Sequence, residues 1–81
     1  MKYKVEIAEL ADHFVIVFKE KETGKNKKVM TLNHLGTDIL RAFLEGKAEE
    51  ELVPELVERY EATVEGMQEE VSKFYAELKE Y

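Results

Sequence analysis

Residues 29–40, VMTLNHLGTDIL, contain the point at which the sequence changes from a strand-like pattern to a helical one. Before Asn33, Met30 and Leu32 would share one face of a strand, because side chains of a strand alternate between its two faces. After Asn33, apolar side chains recur at helical spacing, and Asn33 itself can accept hydrogen bonds from the free amides of a first helical turn. The stretch therefore predicts strands before Asn33 and helices after it, which is an α+β domain.

Three strands are expected in the first part of the chain. In the first strand, apolar side chains alternate with charged ones, which indicates one buried face. The second runs from Phe14 to Phe18 and is apolar on both faces, so we expect a central strand that is covered at least in part on both sides. Gly24 lies in the polar turn before the third strand, and two successive hairpins give a three-stranded antiparallel sheet. The expected strand bounds are about 2–9, 13–19 and 27–32.

Three amphipathic helices are expected in the rest of the chain, at about 34–45, 48–61 and 64–80. Asn33 would cap the first helix, Gly46 would follow its end in a left-handed conformation, and Thr63 would cap the third. Pro54 lacks an amide, so we expect the second helix to be disturbed in its middle or to begin near Val53. The predicted apolar stripes are Leu35, Ile39, Leu40, Phe43 and Leu44; Leu52, Val53, Leu56, Val57 and Tyr60; and Met67, Val71, Phe74, Leu78 and Tyr81, with Tyr75 at the border of the last.

Size and composition favour one small soluble domain over residues 1–81. The chain has 81 residues and no cysteine, which excludes disulfides and thiolate metal sites. Charges at Lys4 and Glu6 interrupt any apolar signal segment, and no run approaches the roughly 20 apolar residues of a membrane span. We therefore expect a cytoplasmic protein that has no membrane partner.

The charge of the chain disfavours nucleic acid as a partner. The formal net charge is -6, from 18 acidic and 12 basic side chains. Affinity for nucleic acid comes mainly from basic side chains that neutralise phosphates. A winged-helix nucleic-acid-binding or transcription module is an alternative with the same element order, but it needs a basic helix. The third predicted helix instead carries Glu65, Glu69, Glu70, Glu77 and Glu80 against Lys73 and Lys79.

The sequence contains no pattern that is typical of an enzyme. His13 and His34 have no metal-binding partners at ligand spacing on one element. Ser72 lies inside a predicted helix and lacks the strained turn of an activated nucleophile. The acidic runs Glu49 to Glu51 and Glu69 to Glu70 are typical of a solvated helix face. We expect no catalysis, no metal and no cofactor.

A binding surface is left at the edges of the predicted sheet. An extended peptide can pair with the exposed backbone of an edge strand and add to the sheet as a new strand. Lys25, Lys27 and Lys28 would attract an acidic peptide, or they would only protect the edge from aggregation, and the pattern leaves both interpretations open. A third hypothesis is a structural or dimerising domain, because an edge can also pair with that of a second copy.

Scattered positions between Met30 and Leu78 together resemble the PqqD family. The two most informative groups follow the patterns LN..G..IL and EEV..F...L. Two departures from the family pattern, Lys47-Ala48 in place of a Ser or Thr cap and the interruption at Pro54, fall in the second helix. The matching positions are Met30, Thr31, Leu32, Asn33, Gly36, Ile39, Leu40, Glu45, Gly46, Glu50, Glu51, Leu52, Leu56, Tyr60, Glu70, Val71, Phe74 and Leu78.

This resemblance implies a winged-helix-like, non-catalytic module that binds the leader segment of a ribosomally made precursor peptide. Such modules present the precursor to a modifying enzyme, which is a radical-SAM enzyme for the members that serve pyrroloquinoline quinone synthesis. The resemblance also implies that the leader pairs with the third strand and packs against the third helix. Because part of the apolar stripe of this helix must be buried even without a ligand, we expect Val71 and Tyr75, toward the edge of the stripe, to make the direct contacts. The implied peptide-binding residues are Lys27, Lys28, Val29, Met30, Thr31 and Leu32 in the strand, and Met67, Val71, Phe74, Tyr75 and Leu78 in the helix.

Overall fold

Three strands are followed by three helices in the computed structural model, which describes residues 2–81. The predicted α+β class and element order are confirmed, and the bounds differ from the expected ones by only one or two residues. The elements are β1 (Tyr3–Glu9), β2 (Phe14–Glu20), β3 (Asn26–Leu32), α1 (His34–Leu44), α2 (Glu49–Tyr60) and α3 (Val64–Leu78).

The chain forms two compact units. The first contains residues 2–37 together with Tyr81 and includes the whole sheet. The second contains residues 38–80 and includes α2, α3 and most of α1. The third helix was expected to end near residue 80, with Tyr81 in its apolar stripe, but α3 ends at Leu78, and Tyr81 belongs to the unit that contains the sheet.

The sheet has the strand order β1-β2-β3, and both strand pairs are antiparallel. The apolar strand β2 is therefore central, as predicted. The β2–β3 register is interrupted once, because Lys28 lies opposite Phe18 whereas Asn26 lies opposite Lys19. Lys27 is thus an extra residue in β3, which makes a β-bulge near the start of this strand.

The two faces of β2 differ in burial. Phe14, Ile16 and Phe18 alternate along the strand and are buried, which defines the inner face of the sheet. Val15 and Val17 point to the opposite, outer face and are half-buried. Both faces of β2 are therefore covered at least in part, as predicted, and the outer face is covered less completely.

Local signals at the ends of α1 act as predicted. The Asn33 side-chain oxygen accepts a hydrogen bond from the amide of Gly36 at 2.8 Å. A Cβ atom on Gly36 would approach both Leu32 and this oxygen to 3.2–3.3 Å, which explains why a glycine suits this position. Gly46 follows the helix with a φ of 80°, a left-handed conformation that glycine adopts without strain. Leu44, the last residue of α1, is 42% exposed, so the buried stripe ends before it.

The second helix runs without interruption from Glu49 to Tyr60, with Pro54 inside it. The expected extent of about 48–61 is therefore matched to within one residue at each end, and the alternative start near Val53 is wrong. Ala48 precedes the helix and provides no side-chain cap. Three glutamates, Glu49 to Glu51, occupy the first turn instead, where negative charge is stabilised by the helix dipole.

The third helix is capped as predicted, but its buried stripe differs from the expected one. The Thr63 hydroxyl oxygen accepts a hydrogen bond from the amide of Gly66 at 3.1 Å. Tyr75 is buried, whereas Phe74 is only half-buried. Burial of Tyr75 is possible because its hydroxyl donates to the Lys47 carbonyl at 2.8 Å. The buried stripe is therefore Met67, Val71, Tyr75 and Leu78.

Tyr60 connects α2 to α1 within the unit of residues 38–80. Its hydroxyl donates to the Asp38 carboxylate at 2.5 Å, and Arg59 donates to the same carboxylate oxygen at 3.2 Å. Burial and the bond to Asp38 together raise the pKa of Tyr60 to about 12. The hydroxyl therefore remains a proton donor at neutral pH.

Candidate peptide-binding edge

The first pair of strands determines the direction in which the backbone of β2 makes its hydrogen bonds. In the turn that joins β1 to β2, the Leu10 amide donates to the His13 carbonyl at 2.8 Å. Hydrogen-bonded and non-hydrogen-bonded pairs alternate along an antiparallel ladder. Ala8 and Val15, two residues further on in the same register, therefore form a hydrogen-bonded pair. The N–H and C=O groups of Val15 thus point toward β1 and away from β3.

It follows that part of the backbone of β3 points away from the sheet. Val15 lies opposite Thr31, and since Val15 bonds to β1, the N–H and C=O of Thr31 point outward. The same holds for Val29, two residues earlier in β3. At the other end of the ladder the Glu20 amide donates to the Lys25 carbonyl at 2.9 Å, which agrees with this assignment. Val29 and Thr31 therefore present donors and acceptors that β2 does not use.

The predicted strand residues divide between the two faces of the sheet. Val29 and Thr31 lie on the outer face, opposite Val17 and Val15, and both are exposed. Met30 and Leu32 lie on the inner face and are half-buried. The backbone groups that point outward therefore belong to residues whose side chains are on the outer face.

The start of β3 is basic and irregular. Lys27 occupies the bulge, and Lys28 lies opposite the buried Phe18. The Lys28 ammonium nitrogen is 5.5 Å from the centre of the Tyr81 ring, which is a cation–π distance. Because β3 contains no acidic residue, this edge has charges of one sign only.

Charge is distributed unequally between the two units. Residues 38–80 contain thirteen acidic and five basic side chains, which gives a formal charge of -8. Residues 1–37 and Tyr81 contain five acidic and seven basic side chains, which gives +2. The sheet unit, which contains β3, is therefore basic within a chain whose net charge is -6.

Four of the five predicted helix residues are buried. The sequence suggested that Val71 and Tyr75 lie at an accessible border of α3. Their side chains are instead 0% and 5% exposed, so neither is accessible there. Met67 and Leu78 are also buried, and Phe74 is half-buried. Burial, and then the charges of Glu49 and Glu51, raise the pKa of Tyr75. Contact between α3 and a peptide remains a prediction.

The side chains that were weighed for catalysis or metal binding have local structural partners. His13 lies 2.8 Å from the Asp12 carboxylate, and the hydrogen bond lowers the pKa of Asp12. The His34 ring packs edge-on against Phe14, with the ring centres 5.1 Å apart. The Ser72 hydroxyl donates to Glu49 at 2.6 Å. Within residues 2–81, no three or more His, Asp or Glu side chains are grouped closely enough to hold a metal ion.

These features define an α+β domain in which a basic strand with outward-pointing backbone groups forms one edge of a three-stranded sheet. The sequence profile of the family described as Coenzyme PQQ synthesis protein D (PqqD) matches residues 14–81, and the chain belongs to this family. The predicted resemblance is therefore confirmed.

A solved structure shares the fold. This structure, "TbiB1 in Complex with the TbiA(beta) Leader Peptide", is 24% identical, with a TM-score of 0.67 over 99% of this chain and 90% of that chain. No curated protein matches the chain significantly. Among residues 2–81, no helix has the length and apolar character needed to cross a membrane.

Proposed function

We propose that this protein binds the leader segment of a ribosomally made precursor peptide as an added strand at the outer edge of β3. It would act without catalysis and present the precursor to a modifying enzyme. The observation that carries the proposal is the outward direction of the N–H and C=O groups of Val29 and Thr31. An added strand would use these groups for main-chain hydrogen bonds, which supply affinity in strand addition.

Charge supports a peptide ligand of acidic character. Lys25, Lys27 and Lys28 lie at the beginning of the same edge, and β3 contains no acidic side chain. Complementary charge speeds the capture of a partner and selects against partners of the wrong sign. Nucleic acid is also acidic, but the chain as a whole is too negative for a protein that neutralises a phosphate backbone.

Membership of the PqqD family and the leader peptide bound to the structural neighbour support the same ligand class. A fold that is similar over nearly all of this chain can serve the same type of recognition. A modifying enzyme would then be the second partner, and a radical-SAM enzyme is a candidate because the family resemblance implies one. The α3 residues Met67, Val71, Phe74, Tyr75 and Leu78 remain candidate contacts, and Phe74 is the most accessible of them.

An amide NMR titration would test the proposal. Leader segments of short precursor peptides encoded beside the gene would be added to the labelled protein, with scrambled versions of each as controls. We expect saturable shifts concentrated at Lys28–Leu32 for one leader and none for its scrambled version. The absence of shifts with every leader, together with a stable dimer by light scattering, would favour the dimerising alternative. Saturable shifts that leave the amides of β3 unchanged would preserve peptide binding but contradict the proposed edge.

A further inference from the structure

We propose, building on the peptide-binding function above, that Val29 makes β3 selective for a peptide with an apolar side chain on the outer face of the sheet. This selectivity would act together with the lysines at the start of β3, which favour an acidic residue at that end of the peptide. The ligand class would be an extended peptide in which an apolar residue and an acidic residue lie close together.

The exposure of Val29 is the first reason. Its side chain is 54% exposed, although it lies on an edge strand, where exposed positions are usually polar or charged. Thr31, the other outer-face residue of the regular part of β3, is polar. Val29 therefore leaves apolar surface uncovered at the position where an added strand would lie.

The neighbours of Val29 are the second reason. Val29 lies opposite Val17, and the next row contains Thr31 opposite Val15. Val15 and Val17 are only half-buried, so the apolar surface continues from the edge into the centre of the outer face. A strand added beside β3 would extend this surface by one more row of side chains.

The backbone geometry is the third reason. Because the N–H and C=O of Val29 point outward, an antiparallel peptide bonds to them through the residue that lies directly beside Val29 in the ladder. Directly opposed residues of paired strands have their side chains on the same face, with Cβ atoms about 4.5–5.5 Å apart. The side chain of that peptide residue would therefore cover Val29, and an apolar side chain would remove the most water-exposed apolar surface.

The lysines determine on which side of the apolar residue an acidic residue is favoured in the peptide. Lys27 and Lys28 precede Val29 in β3, so an acidic peptide residue is favoured on that side of the apolar one. In an antiparallel peptide, the acidic residue would come after the apolar residue in the sequence. In a parallel peptide, it would come before.

Selection from a displayed library of random 12-residue peptides tests this inference. The library would be selected against the wild-type protein, against Val29→Lys and against the control Val64→Lys. Val64 is a matched control because it is 55% exposed but lies in the first turn of α3. Circular dichroism and thermal unfolding would establish that both variants fold, which their exposed positions favour.

We expect wild-type binders to share an apolar position with an acidic residue close to it. Against Val29→Lys, the apolar preference at that position should fall by about threefold or more, and acidic residues should be enriched there. The reason is that side chains directly opposite each other on one face of two paired strands interact, and a lysine favours an acidic neighbour. Binders selected against Val64→Lys should match those of the wild type.

Two other outcomes would overturn the inference in distinguishable ways. Binders that shift the amides of β3 but keep the same preference against Val29→Lys would refute the role of Val29 and leave strand addition intact. A selection that yields no binder at β3 would refute both this inference and the proposed function.

Discussion

The two edges of the sheet are built differently, although both belong to seven-residue strands that pair with β2. The edge strand β1 has charges of both signs, and Glu6 forms an ion pair of 3.0 Å with Lys19 of β2. Just before β1, the Lys2 amide donates to the Tyr81 carbonyl at 3.1 Å. The β3 edge instead combines basic charge with an exposed valine. The choice of β3 as the proposed binding edge therefore rests on register and charge, since being an edge is common to both strands.

Register also determines which side chains accompany the outward backbone groups. In β1, Ala8 bonds to β2, so the outward groups belong to the odd-numbered residues of this strand. Among these, Val5 and Ile7 are half-buried on the inner face. In β3 they belong to Val29 and Thr31, which are exposed on the outer face. A peptide at β3 would therefore place its directly bonded residues over the outer face, where apolar surface is accessible.

Removal of the Tyr81 ring should have the largest effect, because this ring contacts side chains of all three strands. The ring stacks on Phe18 at 4.7 Å between centres and lies edge-on to Tyr3 at 6.2 Å. We expect Tyr81→Ala to lower the free energy of unfolding by about 2 kcal/mol, because it removes two aromatic contacts and uncovers Phe18. Urea denaturation measures this, and Tyr81→Phe is the control that keeps the ring. Equal stability of the two variants would show that the ring does not stabilise the sheet.

A proline substitution in each edge strand should show which of the two strands binds the peptide. The amides of Thr31 in β3 and Glu9 in β1 both point away from β2, so neither proline removes a bond within the sheet. We expect Thr31→Pro to weaken peptide binding by about tenfold or more, because one main-chain donor is lost and the ring obstructs the added strand. Glu9→Pro should leave the dissociation constant unchanged. Calorimetry measures both, and equal losses would contradict the choice of β3.

Reversal of charge at the two edges should change the rate of peptide capture. We expect Lys25→Glu combined with Lys27→Glu to slow association of an acidic peptide by about three- to fivefold at low ionic strength, and the difference should shrink in high salt. The control, Lys2→Glu combined with Lys4→Glu, changes the net charge by the same amount at two exposed lysines, one just before β1 and one within it, and should have a much smaller effect. Stopped-flow fluorescence gives the association rate constants. Identical slowing by both changes would indicate that only net charge matters.

The ion pair at the β1 edge should give the smallest effect. The hydrogen bond and the charge of Lys19 lower the pKa of Glu6 from its usual 4.5. A lowered pKa means that this carboxylate stabilises the fold above about pH 4.5 and that the contribution is lost as the pH falls through the folded-state pKa. The small difference in urea midpoint between wild type and Glu6→Gln should therefore be present at neutral pH and disappear in acid. A difference that persists in acid would have another origin.

Signals that act over a few residues were sufficient to predict most of the fold. The caps at Asn33 and Thr63 and the left-handed Gly46 depend on atoms within one helical turn, and all three were predicted correctly. Such local signals could not predict that Tyr75 is buried and Phe74 only half-buried, because both positions fit the helical periodicity of the stripe. Tyr75 is buried because its hydroxyl reaches the carbonyl of Lys47, which is 28 residues away in the chain.

The sequence was sufficient to predict which strand forms the candidate site, but not which of its backbone N–H and C=O groups point away from the sheet. The pattern of β3 and its lysines indicated an edge with basic charge. It did not indicate that Val29 and Thr31, rather than Met30, point their backbone outward, because this depends on how the turns set the register. The bulge at Lys27 was also missed, since an extra residue in one strand is defined only by its partner strand.

Amide hydrogen exchange of β3, with and without a bound leader peptide, tests the central claim most directly. In the free protein, the amides of Val29 and Thr31 should exchange rapidly, and the amide of Met30, which bonds to β2, should exchange slowly. On binding, the exchange of Val29 and Thr31 should slow by about tenfold or more, because both donate to the added strand. Protection that appears at Val5 and Ile7 instead, or binding without any change at Val29 and Thr31, would contradict strand addition at this edge.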